Sequence, residues 1–342
     1  MAIVSTIIPS YNSASTLAEA IDSVLAQTRR PDEIIVVDDG STDETSSVCS
    51  RFHSVVQHIR QPNSGVAAAR NRGVLEARGD LIAFLDADDT WDRRKLQIQL
   101  AALSEHPHTQ WCAGNCQLMD TDGTLFSNRD IATAVPVFRD AGLTVSEFLA
   151  QDMVPGILRV QDANYPVHIG DAYRLLFYGS FIFPSSVMIT KSLYTTLGGF
   201  DEAFGFAEDT EFFHRVANAA HLAFVTSPIF NYRIGQPTSR TAPGNTTPTI
   251  INALESNRRA ARIRLLQRES TLAAAKKGRQ LLLLRLAYAH LSEYRPREAR
   301  LAITEAFREG ASPSPRAIAL LVLTCFPRSV LRLLHRLKRS VR

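Results

Sequence analysis

The stretch "LIAFLDADDTW", Leu81 to Trp91, runs from an apolar segment straight into three carboxylates, Asp86, Asp88 and Asp89. Charges crowded in this way repel one another unless a cation or a set of donors sits among them. Oxygen ligands suit Mg2+ or Mn2+, which keep waters and share the phosphate oxygens of a substrate. Asp86 and Asp88 leave the strand at i and i+2, so both are expected to address one ligand. Asp89 has a plainer use, as the cap of a helix beginning near Trp91-Asp92.

Two further stretches could build a pocket for a nucleotide. In "EIIVVDDG" a carboxylate at the strand end, Asp39, can accept from an imide N–H such as that of uracil or thymine, with Asp38 the better turn residue. Tyr11, in "TIIPSYN", could stack on a base, or be a core aromatic. In "NSGVAAARNRG" the small residues Gly65 and Ala67 to Ala69 permit close backbone approach, and Arg70 could face phosphate or base. The same small residues equally suit a helix packed tightly on a sheet, with Arg70 and Arg72 in solvent. Far along the chain, "GFAEDTEFFHR" supplies Glu208 and Asp209 among phenylalanines. Apolar surroundings would suit a general base there, while Asp209 also fits a helix start.

These residues need a scaffold that brings them together. "IVSTIIP", "EIIVVDD", "VVQHI" and "DLIAFLD" read as strands, alternating with the helical stretches "STLAEAIDSVLAQT", "STDETSSVCSRF" and "SGVAAARNRGVLEA". Ser41 and Glu44 are spaced as a capping box for the second helix. The alternation predicts an α/β fold, a mainly parallel sheet sandwiched by helices, with ligands at the carboxyl edge of the strands. Neither GxGxxG nor GxxxxGK[ST] follows the first strand, which argues against dinucleotide and P-loop sites. Residues 126 to 178 read as variable loops and short helices, and "SFIFPSSVMIT" as a further strand. "GQPTSRTAPGNTTPT" marks a linker. Beyond it the chain reads as helical, with breaks at Lys277-Gly278 and at "GASPSP", and "YAHLSEYRPREARLAITEAFREG" reads as a helix–turn–helix. Two domains are therefore expected, residues 1–240 and a C-terminal helical region over 250–342.

Charge divides along the same line. The 342 residues carry a net charge of +4, but residues 251–342 hold 20 Lys/Arg against 6 Asp/Glu and residues 1–250 hold 18 against 28. The last stretch, "RSVLRLLHRLKRSVR", sets an apolar stripe beside arginines. It reads either as an interfacial helix drawn to anionic lipid or as a terminal helix packed on the protein. Cys49, Cys112, Cys116 and Cys325 form no CxxC pair, so free thiols in a reducing cytoplasm are expected. "MAIVSTIIPSYN" lacks basic residues and a cleavage site and reads as a first strand, not a leader. No run approaches the roughly 18 apolar residues of a spanning helix.

Taken in order, "TIIPSYN", "IIVVDDGSTDET", "NSGVAAARNRG", "FLDADD" and "GGFDEAFGFAEDTEFFHR" resemble the family 2 glycosyltransferases with the GT-A fold. The resemblance implies inverting transfer of a sugar from a nucleotide diphosphate donor to a hydroxyl acceptor; Asp39 favours a UDP donor, and the basic tail suggests a cell-surface glycan or lipid-linked acceptor. It implies that Pro9, Tyr11 and Asp39 hold the base with Arg70 nearby, and that Asp86 contacts the ribose or a metal-bound water. Asp88 would bind the Mn2+ or Mg2+, Asp209 would be the general base beside Glu208, and Arg233 in "NYRIGQPTSR" would meet phosphate. Processive synthases of the family carry QxxRW and spanning helices, which are missing here, so a single-addition enzyme is expected. Nucleic acid is not an expected partner. A nucleotidyltransferase would want a Gly-rich loop that "PSYNSAST" does not supply. A non-catalytic nucleotide-sugar binder whose tail recruits partners is the remaining alternative. The expected location is cytoplasmic, with peripheral contact at the inner face of the membrane.

Overall fold

The computed structural model describes residues 2–135, 138, 142–236, 245–263 and 269–332. The chain forms two compact units, residues 1–239 and 240–342.

The first unit is built on one sheet. Its strands are β1 (Val4–Ser10), β2 (Glu33–Asp38), β3 (Gln57–Arg60), β4 (Leu81–Phe84), β5 (Thr90–Trp91), β6 (Thr109–Met119), β7 (Leu125–Asp130), β8 (Met153–Val160), β9 (Ala163–Gly170), β10 (Met188–Thr190) and β11 (His221–Arg233). Their order is β3-β2-β1-β4-β10-β6-β11-β9-β8, with β5 on β11 and β7 on β6. The first four strands pair in parallel, in register Ser10 with Asp38 and Ile7 with Phe84. From β10 onward the sheet is mixed: β10 is antiparallel to both neighbours, and β11 is parallel to β6. The GT-A-type α/β architecture is thus present, with its parallel ladder concentrated in the first half and resumed between β6 and β11.

Helices α1 (Leu17–Leu25), α2 (Thr45–Ser50), α3 (Val66–Glu76) and α4 (Lys95–Glu105) accompany the parallel half. Later come α5 (Ile131–Ala134), α6 (Val145–Leu149), α7 (Tyr173–Leu176), α8 (Lys191–Thr196) and α9 (Glu208–Ala219). Leu17, Ile21 and Val24 recur at helical spacing on α1 and are fully buried, each worth about 2 kcal/mol in removed apolar surface. Helix α3 presses against the sheet so closely that a Cβ at Gly73 would sit 2.4 Å from the Ile7 side chain. The small residues of α3 therefore serve packing. An aromatic cluster of Phe84, Tyr194, Phe200, Phe212 and Phe213 joins α9 and the loop before it to the sheet, with Phe213 stacked on Trp111.

Several local expectations are corrected. There is no capping box at α2: Ser41 accepts the Asn12 N–H instead, and Asp43 accepts the N–H of Thr45. No helix begins at Trp91, because Thr90 and Trp91 pair with β11 and α4 starts at Lys95. Residues 153–170 are not loops but a hairpin of two eight-residue strands at the sheet edge, turning on Gln161 with φ of 53°. Of "SFIFPSSVMIT" only Met188–Thr190 is strand, preceded by a 3-10 turn at Pro184–Ser186.

The second unit contains α10 (Thr246–Ile263), α11 (Glu269–Ser292), α12 (Pro296–Arg308) and α13 (Pro315–Leu323). Its core gathers Ile250, Leu254, Leu283, Ala287, Ala299, Ile303, Ala306 and Leu320. Helix α11 runs unbroken through Lys277-Gly278, where Gly278 is buried against its neighbours. The turn between α11 and α12 has Tyr294 at φ 59° and forms the expected helix–turn–helix. Among the described residues no helix is long and apolar enough to cross a membrane. Residues 333–342, most of the amphipathic tail, lie outside the described residues. So do residues 237–244 of the linker.

Candidate active site

The carboxyl ends of the parallel strands form a rim. Asp38, fully buried at the end of β2, accepts the Ser41 N–H at 2.8 Å and the Ser46 hydroxyl at 2.7 Å. Burial alone would raise its pKa, but these bonds with Arg60's charge carry it below the ordinary value. Asp38 is therefore the turn residue. Asp39, also buried, reaches across to the loop before α3. It accepts from the Gln61 amide at 2.7 Å and from the N–H groups of Ser64 and Gly65 at 2.9 and 2.8 Å. Three donors on a carboxylate of about four acceptor sites hold that loop over the rim. Pro9 lies buried in β1 opposite Val37, while Tyr11 is half exposed just beyond the strand, with its ring open to a stacking partner.

The acidic stretch after β4 folds into a turn closed by the Asp89 N–H on the Asp86 carbonyl at 3.0 Å. Asp86 and Asp88 remain partly exposed, and Asp89 is buried. Burial, then the charge of Asp86, pushes the Asp88 carboxyl up to about 6. Burial and the charges of Asp88 and Asp86 raise Asp89 well above the ordinary carboxylate range. Two of the three aspartates therefore resist ionising together, which is the condition a bound cation relieves. Among the described residues no three ligating side chains converge on one point. A divalent ion would take Asp88, with Asp86 beside it, and complete its shell from phosphate oxygens and water, as Mg2+ commonly does.

Arg70 is not solvated. Its guanidinium is 3% exposed and bridges two carboxylates, donating to Asp86 Oδ1 at 2.7 Å and to Glu208 Oε1 at 2.9 Å. Phe200 lies 5.1 Å below it. Burial would lower the guanidinium pKa, but the charges of Asp86, Glu208 and Asp209 raise it. Arg70, expected near phosphate or base, makes an internal bridge between two carboxylates in this structure. Asn71, the next residue, clamps the loop that carries Phe200: its Oδ1 accepts the Phe200 N–H and the Tyr194 hydroxyl, and its amide donates to the Phe200 carbonyl. Gly199 adopts φ 69°, and a Cβ there would fall 2.6 Å from Asn71 Oδ1.

Glu208 and Asp209 open α9, whose preceding residue, Ala207, is left-handed at φ 56°. Asp209 is thus inside the first turn, not at the cap, and its Oδ1 accepts the Thr210 N–H at 2.6 Å. Carboxylates in this turn favour the positive end of the helix. Arg233, at the end of β11, is 3% exposed. It donates to the carbonyls of Asp88, Asp120 and Thr121 and pairs with Glu19. It braces the acidic turn from behind.

Two groups escaped sequence reading. Ser185, in the 3-10 turn, touches both Asp86 and Asp89, and nothing in "FPSSV" marks it. Asp89 is not the helix cap expected of it: its oxygens accept the Ser185 hydroxyl and the Arg233 N–H.

Comparison with known proteins bears on the family and the fold. Residues 5–130 match the model of glycosyl transferase family 2. An uncharacterized glycosyltransferase of Nostoc sp. is 46% identical over 176 residues, covering 50% of each chain. A putative teichuronic acid biosynthesis glycosyltransferase of Bacillus subtilis, TuaG, is 38% identical over 126 residues, 36% of this chain and 50% of that one. The chain spans about half the length of these relatives, and 17% of two matching Rickettsia glycosyltransferases. Among solved structures, S. aureus TarS 1-349 in complex with UDP-GlcNAc superposes with a TM-score of 0.56 at 19% identity, covering 93% of this chain and 84% of that one. A mannosyltransferase from Pyrobaculum calidifontis with GDP-Man and Mn2+ gives a TM-score of 0.57 at 18% identity, over 98% and 87% of the chains. At such identities the likeness shows the fold.

Proposed function

We propose that this chain, whose residues 5–130 match the model of glycosyl transferase family 2, moves a sugar from a nucleotide diphosphate donor to a hydroxyl acceptor with inversion. The observation that carries the reading is the Arg70 bridge. One buried guanidinium holds Asp86 of the acidic turn and Glu208 of α9, the latter 138 residues from Arg70 in sequence, at a single site. Nucleotide-sugar complexes of two proteins with this fold support a donor of that class.

In this reading Tyr11 stacks on the base, and Pro9 shapes the floor beneath it. Asp39, with one acceptor position left, receives an imide N–H, which favours UDP. Asp88 and Asp86 would hold Mn2+ or Mg2+, and such an ion supplies charge stabilisation to the departing diphosphate. Asp209, adjoining the bridged Glu208, takes the proton of the acceptor hydroxyl as that oxygen attacks from the opposite face of the sugar. Help of this type is worth about 10²–10⁴-fold. Arg70 keeps the positive charge near these carboxylates fixed, so that none has to reorganise as charge develops. Arg233 holds the turn and is available to the diphosphate only by leaving Glu19.

The acceptor would be a cell-surface glycan or its lipid-linked precursor, one sugar being added per encounter. In the second unit Ile318, Val322 and Phe326 are exposed, and no acidic residue follows Glu309. Both features favour peripheral contact with an anionic membrane surface. Loss of vesicle binding on deletion of residues 316–342 tests that contact. The function is tested by a panel of UDP-, dTDP- and GDP-sugars with Mn2+. Donor-dependent product, lost in Asp209→Asn, supports the enzyme. Donor binding without turnover in the wild type would favour the non-catalytic binder.

A further inference from the structure

We propose that Ser185 is a positioning residue for the acidic turn, acting through Asp89 to set the carboxylates that hold the metal and diphosphate. The inference rests on the metal-dependent reading above and adds a residue to it.

Ser185 is fully buried. A hydroxyl offers one donor and two acceptor positions. Its proton goes to Asp89 Oδ2 at 2.6 Å, and its oxygen accepts the Asp86 N–H at 3.0 Å. One side chain thus ties both ends of the Asp86–Asp89 turn. The other Asp89 oxygen accepts the Arg233 N–H at 2.9 Å, and the Arg233 Nε donates to the Asp88 carbonyl at 2.7 Å. Asp89 is 1% exposed with a donor on each oxygen, so it holds the turn in place and leaves ligand contact to Asp86 and Asp88.

The 3-10 turn is itself anchored. The Ser185 carbonyl accepts the Trp91 indole N–H at 2.9 Å, and the Ser186 carbonyl accepts the Gln99 amide at 2.7 Å. Next to it the Val187 carbonyl accepts the Phe84 N–H from the last residue of β4. The hydroxyl is therefore fixed relative to both the strand that delivers the acidic turn and the residues that follow it. Removing it strands the Asp86 N–H and takes a buried hydrogen bond from Asp89, so the turn has to move. Groups that orient metal ligands in this manner typically change metal affinity 10–100-fold when lost.

The test is Mn2+ titration in the presence of UDP, and separately of GDP, by calorimetry. It compares the full chain with Ser185→Ala, Asp89→Asn and the double variant, with thermal melts confirming that each is folded. Each single variant is expected to weaken Mn2+ binding about tenfold or more, and the double variant no further than the weaker single. Wild-type Mn2+ affinity in folded Ser185→Ala would overturn the proposal, as would a double variant whose losses multiply. If Ser185→Ala does not fold, Ser185→Cys keeps the shape with a feebler donor, and wild-type affinity there is equally decisive. A wild-type chain that binds neither metal nor nucleotide overturns the function reading itself, a different failure from an indifferent variant.

Discussion

The Arg70 guanidinium donates to Glu208 at 2.9 Å, with both side chains about 95% removed from solvent. An ion pair so buried adds little when intact, but losing one partner leaves an uncompensated charge. Arg70→Met should destabilise the first unit by about 3–5 kcal/mol, read from urea unfolding. Arg70→Met combined with Glu208→Leu should cost clearly less than the sum of the single changes. Strict additivity would mean that the pair is not coupled.

Gly199 is held at φ 69°, where a Cβ would meet Asn71. Gly199→Ala should cost more than about 1 kcal/mol, since the strain of the left-handed backbone adds to the contact. It should also lower donor turnover, because the loop it distorts carries Phe200 beneath Arg70. A variant with wild-type melting and turnover would show that the loop relaxes freely.

Lys95 lies fully buried, its Nζ bonded to Gln99 at 2.7 Å and 4.1 Å from the Trp91 ring. Burial pushes its pKa down from 10.5 to about 7. Between those values the unfolded chain binds more protons than the folded one, so this group makes stability rise with pH from about 7 toward 10.5. Below pH 7 both states are charged and the burial penalty is present in full. Lys95→Met should therefore raise the melting temperature most at pH 6–7 and least near pH 10. Parallel melting curves across that range would contradict it.

How far this was legible in the sequence follows from which signals were local. The strand ends carrying Tyr11, Asp39 and Asp86 could be read because apolar runs stop abruptly at polar residues. The hairpin of β8 and β9 was hidden by Pro155, Gly156 and Pro166, which resemble breakers but suit the edge strand and its unpaired flank. Gly278 has the look of a break, yet α11 runs through it with Gly278 buried. Arg70's two partners and the Ser185–Asp89 bond join positions 16 to 138 residues apart, and no spacing rule reaches them. Asp89 was misread as a cap because the strand pairing of Thr90 and Trp91 depends on β11, far downstream.

Metal removal separates the two acidic clusters. Exhaustive chelation should abolish sugar transfer, and Mn2+ or Mg2+ should restore it. Asp88→Asn should raise the Mn2+ concentration needed for half-maximal activity by about 10-fold or more. Full activity in chelator would remove Asp88 from the reaction.

The most direct measurement is steady-state transfer by Asp209→Asn beside its Mn2+–nucleotide affinity. Loss of about 10²–10⁴-fold in kcat, with nucleotide affinity within twofold of the wild type, is the result expected of a general base outside the donor site. Near-normal kcat in that variant would contradict the account.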